Sequence, residues 1–448
     1  MMKKQIFILA LCSVGVVPFV FISQWAGYVG VSGFIYSAGY RTSLMALIVR
    51  EGLPILLVFI VMLTHRTFFR SRCFLAIIVF VFLVIFELIR ASINTDTHNV
   101  FVIACITGGR FCMFFLLPYA IFVFFKEMPQ DQIDSRLYCL LKLVAAILLL
   151  NIAVSLFPIK LNWAYDTALF GIRAIGITNG PNSSGALMGI GALLILFYRR
   201  FRRVWLIACV FFFGSLLTGS RTSVIGTLVV LLAGMLIIPH KSKSQIFLIV
   251  VLLVLLPYVI VNLNNFTRVR WNNWEKTAST ASAKSATPMT PTTITSQIIK
   301  LYKEDKIDGG SMRIRFEFFN RFFREMNTQQ LLLGYGLGYG TNLAAREGVF
   351  IDPYKPDISI TDSLLTLMLV NFGIIGTILF CIIVTYFIVN LVSLWPGIVF
   401  ITYYFLFGLT QNLIESYPTT VLFGVLLGCY GVYRYNSMVR GCASGQEQ

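Results

Sequence analysis

The chain holds 448 residues, of which 57% are apolar and only 12% charged. A soluble domain carries roughly 25% charged residues, so an ordinary soluble enzyme, a disordered chain and a disulfide scaffold are excluded, leaving a polytopic membrane protein. Lys and Arg outnumber Asp and Glu by 36 to 19, a formal net charge of +17; on a membrane protein this reads as positive cytoplasmic loops plus a site for an anionic substrate, not as nucleic-acid binding.

A membrane-crossing helix needs about 20 mostly apolar residues. Such runs occur near 5–23, 46–64, 74–90, 101–124, 137–157, 183–198, 204–217, 223–238, 246–263, 363–389, 398–411 and 419–433. The expected fold is therefore all-α, a polytopic membrane bundle of about twelve transmembrane helices. Lys3 and Lys4 precede the first run without a small-x-small cleavage site after it, so an uncleaved first helix is expected. With the N-terminus in the cytoplasm, fifteen Lys/Arg fall in cytoplasmic segments, whereas Arg41, Lys160, Arg173 and Arg221 are the four in short outer loops. That bias sets the orientation and places both termini in the cytoplasm.

The pattern divides the chain into a membrane bundle of about nine spans over 1–263, one long outer loop over 264–360, and about three more spans over 361–448. The nine cysteines lie in the spans or near the cytoplasmic face and read as small buried residues. His65, His98 and His240 are scattered, with no metal-ligand spacing, so neither a metal nor a cofactor is expected.

The long outer loop has three parts. Residues 264–276 carry Arg268, Arg270, Trp271 and Trp274, an interface anchor. Residues 277–297 are rich in Ala, Ser, Thr and Pro and read as a linker. In 311–333, Phe316, Phe319, Phe323 and Met326 recur at helical spacing, as do Arg313, Glu317, Arg321 and Arg324. The expected element is an amphipathic helix lying along the outer interface. The stretch GYGLGYG (334–340) follows; it lacks the GK[ST] ending of a phosphate-binding loop and reads as a tight turn with close backbone approach.

Four positions carry the chemistry candidates. Arg221, in GSRTS (219–223), is either a salt-bridged structural arginine or a phosphate clamp, because the planar guanidinium fork matches phosphate oxygens. Arg110, in GGRFC within the fourth run, either pairs with Glu87 or Glu51 or meets a ligand admitted by Gly108 and Gly109. Arg173 opens RAIGITNGPNSSG (173–185), where capping and sugar-hydroxyl contacts are the competing readings. Asp362, in ITDSLL (360–365), opens the tenth span on the outer side, where an Asp at a helix N-terminus reads first as a cap.

An SRT turn after the seventh span, an external arginine helix followed by GYGLG, and a polar pair opening the next span occur in this order. Together with the span layout, this resembles the superfamily of O-antigen (Wzy-type) polymerases and O-antigen ligases, over about 170–376. The resemblance implies an enzyme, a glycosyltransferase acting on undecaprenyl-pyrophosphate-linked oligosaccharide at the periplasmic face of the bacterial inner membrane, in lipopolysaccharide or related polysaccharide biosynthesis. It carries the arginine roles onto Arg221 and onto Arg315, or Arg313 in the neighbouring register, and the Gly-x-Gly stretch onto Gly334, Gly336 and Gly338. Arg173, Arg110 and Arg321 are secondary substrate contacts.

Ligases of the family open the following span with His-Asn; here the pair is Asp362-Ser363, and 264–360 holds no histidine. The polymerase is therefore the expected activity, with metal-independent inversion at the anomeric carbon and a chain-length regulator protein as a further partner. The ligase, and a flippase for the same lipid-linked oligosaccharide, are the alternatives. Against the flippase stand the asymmetric outer loop and the lack of self-similarity between the two halves.

Overall fold

A computed structural model describes residues 44–65, 68–69, 71–94, 98–156, 164–165, 173–174, 181–198, 204–217, 221–237, 326–341, 363–409, 413 and 417–444. Its helices, in chain order, are α1 (Leu44–Thr64), α2 (Arg72–Asn94), α3 (His98–Phe125), α4 (Gln130–Leu156), α5 (Pro181–Phe197), α6 (Val204–Leu217), α7 (Arg221–Ile237), α8 (Thr328–Leu333), α9 (Leu364–Val392), α10 (Leu394–Gly408) and α11 (Tyr417–Ser444). The runs expected at 5–23 and 246–263 lie outside the described residues; each of the others corresponds to a helix. Among the described residues, three stretches, Arg72–Ile93, Phe101–Phe125 and Leu364–Val392, are long and apolar enough to cross a bilayer, and shorter apolar helices include Gly185–Phe197, Ser223–Leu236 and Leu394–Gly408. The protein is an all-α polytopic membrane protein, because in lipid only a helix or a closed barrel satisfies every backbone polar group internally. One small departure is an antiparallel pair of two-residue strands, β1 (Ala164–Tyr165) and β2 (Arg173–Ala174), with Tyr165 opposite Arg173.

Backbone contacts divide the chain into two units: the first from Met1–Val84, Gly109–Val254 and Leu379–Gln448, the second from Ile85–Gly108 and Leu255–Ile378. The first is held by aromatic packing. Phe80 and Phe115 lie with ring centroids 4.6 Å apart, Phe80 and Phe380 5.5 Å apart, and Phe114 and Tyr404 4.3 Å apart. Without water to drive association, such van der Waals contact and the close approach of small residues hold membrane helices together.

Helices α5 and α7 show the second device. A Cβ on Gly226 would come within 2.9 Å of the Phe407 ring, and one on Gly189 would collide with the same ring. Phe407, on α10, is buried in a slot that two glycines from two helices leave open. Nearby, the Tyr403 hydroxyl donates to the Ala186 carbonyl at 2.6 Å. At the other end of the pair, a Cβ on Gly234 would collide with Leu196.

In the second unit, the expected amphipathic helix over 311–333 is corrected in its last part. Residues 311–325 lie outside the described residues, but Asn327 is extended (φ −71°, ψ 168°) and starts a new helix, α8. The Asn327 side chain accepts from the Gln330 N–H at 2.8 Å, while the Gln330 side chain accepts from the Asn327 N–H at 3.0 Å. This reciprocal capping box is strong enough to begin a helix where the apolar periodicity reads straight through.

Candidate functional site

The described sequence candidates divide between the units, with Arg110, Arg173 and Arg221 in the first and the glycine turn in the second. In the first unit, α5 and α7 begin side by side. The Ser223 hydroxyl, three residues into α7, donates to the Gly185 carbonyl in the first turns of α5 at 2.7 Å. Ser223 is buried, and the Thr227 hydroxyl backs it by donating to the Ser223 carbonyl at 2.7 Å. Gly226 against Phe407 and Gly234 against Leu196 continue the pairing, so the two helices run in the same direction. Their positive dipole ends therefore lie together, a geometry suited to an anion.

Arg221 is the first residue of α7, at this end. Arg173 lies on β2, which packs against α4, α5 and α6. Arg110 is half-buried on α3 and engaged with a neighbour. Glu87, one of the partners considered for Arg110, is instead bridged to Arg90 on its own helix, at 2.7 Å.

In the second unit, the four alternate glycines of GYGLGYG form a turn with positive φ at every one: Gly334 +77°, Gly336 +111°, Gly338 +98° and Gly340 +72°. Only glycine enters that region without steric cost, which explains their spacing. The turn lies on α9, which breaks at Gly373 (φ 63°, ψ −169°). A helical carbonyl bonds to the N–H four residues on, so a break strands the carbonyls just before it. Here they find other donors. Val370 O accepts from the Tyr335 N–H at 2.6 Å, and Asn371 O accepts from Arg90 Nη2 at 3.4 Å.

The Asn371 side chain is fully buried and completes the seam. Its Oδ1 accepts from the Gly338 N–H at 2.8 Å, and its Nδ2 donates to Tyr339 O at 3.0 Å and Leu367 O at 2.7 Å. Met326, Tyr335 and Tyr339 pack against Val370. Burial pushes the Tyr339 hydroxyl above its ordinary range.

The head of α9 is capped by Ser363. Its Oγ accepts from the Thr366 N–H at 3.1 Å and shares a 2.7 Å hydrogen bond with the Thr366 hydroxyl. The capping role weighed for Asp362 thus belongs to its neighbour. Asp362, Arg313, Arg315 and Arg321 lie outside the described residues.

Sequence reading singled out the glycine turn and Arg221 and weighed Glu87 only as a partner of Arg110, but missed Asn371 and Arg90. A lone Asn in an apolar run, and opposite charges three residues apart inside a span, were the available signals.

Residues 206–381 match a family model described as O-antigen ligase, a stretch that contains most of α6, all of α7, the glycine turn and the first part of α9. No curated protein and no solved structure matches the chain.

Proposed function

We propose, from the premise that residues 206–381 belong to the O-antigen ligase and polymerase superfamily, that this integral membrane protein is a repeat-unit polymerase. It joins lipid-pyrophosphate-linked oligosaccharides at the periplasmic face of the inner membrane. The observation that carries the reading is the Ser223–Gly185 hydrogen bond, which sets two helix N-termini side by side with Arg221 as the first residue of one of them.

The donor is a glycan on undecaprenyl pyrophosphate and the acceptor is a sugar hydroxyl of a second lipid-linked unit. The acceptor oxygen forms a bond to the anomeric carbon as the bond from that carbon to the pyrophosphate oxygen breaks. The electron pair leaves with the pyrophosphate, and the hydroxyl proton passes to the Asp362 carboxylate. Pyrophosphate is a weak base and leaves without a proton. What the transition state requires is fixed positive charge at the departing oxygens, and a guanidinium supplies it in a water-poor site where it is worth more than in bulk. Arg221 and Arg315, or Arg313, take this role, with Arg173, Arg110 and Arg321 as secondary contacts. Attack opposite the leaving group inverts the anomeric centre.

The description of the matching family favours a second reading, the ligase, which hands the glycan to lipid A-core. The Asp362-Ser363 pair where ligases carry His-Asn favours the polymerase. The surface polysaccharide of a strain lacking this protein separates the two. Single repeat units on the lipid core support the polymerase; bare core with accumulated lipid-linked polymer overturns it in favour of the ligase. Bare core with no outward-facing lipid-linked units points to a flippase and removes both.

A further inference from the structure

We infer that Asn371 is a positioning residue for this reaction: its buried carboxamide clasps the GYGLGYG turn to the broken helix α9, with the Glu87–Arg90 pair closing the seam from α2. The inference deepens the transferase reading and rests on it for the catalytic part alone.

The argument starts from the break. Gly373 departs from helical geometry where the turn packs closely on it; a Cβ on Gly334 would lie 2.6 Å from Gly373 N and 2.7 Å from Val370 O. Breaking a helix inside an apolar protein leaves carbonyls that must find donors, since each unsatisfied group costs several kcal/mol in hydrocarbon. Val370 O takes its donor from the turn itself, and Asn371 O takes Arg90. The Asn371 side chain then reaches the turn further along, using its oxygen for one backbone N–H and its nitrogen for one backbone carbonyl, with its second N–H on Leu367 O.

Asparagine is the side chain that serves this geometry. A carboxamide offers an acceptor and two donors from one planar group. Aspartate would present oxygen to two carbonyls. Leucine, its apolar isostere, would leave the Gly338 N–H and the Tyr339 carbonyl unpaired.

The rest of the seam fixes the clasp in place. The guanidinium of Arg90 is anchored by Glu87 at 2.7 Å, and its Nη2 lies 3.8 Å from where a Cβ on Gly336 would stand. On the far side, a Cβ on Gly338 would come within 3.0 Å of Ala104 N on α3, so the turn sits between three helices with no room to slide. The same α9 segment begins at the Ser363 cap, next to the proposed proton acceptor. Fixing the turn on this segment holds the upper part of α9 rigid, and a rigid support lowers the cost of reaching the near-attack geometry.

The test uses the full-length protein in proteoliposomes, with Asn371→Asp and Asn371→Ala as variants. One arm introduces Leu337→Cys at this fully buried position and follows its labelling by a membrane-impermeant maleimide, against the native cysteines as background. The other follows transfer between lipid-pyrophosphate-linked oligosaccharides. The expected result is a labelling rate raised at least tenfold in both variants, with kcat reduced tenfold or more and KM for the lipid-linked donor unchanged. Unchanged labelling overturns the clasp. Raised labelling with unchanged kcat overturns the positioning role, as does a loss confined to KM. If one variant fails to reach the membrane, the other decides. Wild-type protein that performs no transfer refutes the transferase reading instead, and with it the positioning role; the labelling arm still decides whether Asn371 fixes the turn.

Discussion

Gly334 and Gly373 approach so closely that neither can carry a side chain: a Cβ on Gly334 would stand 2.6 Å from Gly373 N, and one on Gly373 would collide with Leu332 O and Gly334 N. Both also have positive φ. Gly334→Ala and Gly373→Ala therefore each combine a backbone collision with a strained conformation that alone costs about 1–3 kcal/mol. Gly336 is the internal control, because the nearest atoms to its Cβ are 3.7 Å away and only the backbone term remains. Thermal unfolding in detergent should rank Gly336→Ala above the other two in stability; an equal loss for all three would contradict the geometry.

Arg221→Lys retains charge at the head of α7 but loses the two-pronged fork that matches phosphate oxygens. Removing one fixed donor to a developing charge costs about 10²–10³ in rate. Membranes carrying the lysine variant at wild-type level should form polymer about a hundredfold more slowly. Full-length polymer at the normal rate would remove Arg221 from the site.

The neighbours Asp362 and Ser363 are expected to separate into chemistry and stability. Ser363→Ala loses the cap on α9, about 1 kcal/mol, and leaves the transfer rate of the folded protein close to wild type. Asp362→Asn retains shape and loses basicity, so it lowers kcat by about 10²–10⁴ with little change in unfolding temperature. The opposite pattern, rate loss at Ser363 and stability loss at Asp362, would reverse the assignment.

Phe407 and Gly189 form a lock that admits a compensating change. Gly189→Ala overpacks the slot and should cost about 1–3 kcal/mol, whereas Phe407→Leu leaves it underfilled. The double substitution Gly189→Ala with Phe407→Leu should recover part of the loss, a coupling measurable as non-additive unfolding free energies. Additive losses would show that the ring and the glycine do not share the space.

Much of the fold is written in composition. A span needs only a long apolar run, so α2, α3 and α9 are legible from hydropathy alone, and the positive φ of the four turn glycines follows from their alternation. The break within α9 is not legible in that way. The run over 364–392 is predominantly apolar, and a glycine in a membrane helix is ordinary; the break falls where the turn presses on Gly373. Likewise Asn327 interrupts an apolar periodicity by a local cap that the pattern of Phe316, Phe319, Phe323 and Met326 does not weigh. Arg90 escaped notice for a related reason. An arginine near the end of a span reads as a snorkelling side chain, and its partner carbonyl lies 281 positions away in sequence, freed by a break that hydropathy does not show.

The break at Gly373 also separates two design problems. Above it, the residues from Ser363 to Phe372 are tied to the glycine turn through Val370 and Asn371; below it, α9 continues to Val392 as plain apolar helix. Insertions or deletions in the lower portion change the span's reach toward the far side of the bilayer without altering the alignment of Asn371 with Gly338. A single residue inserted between Asn371 and Gly373 would shift that alignment.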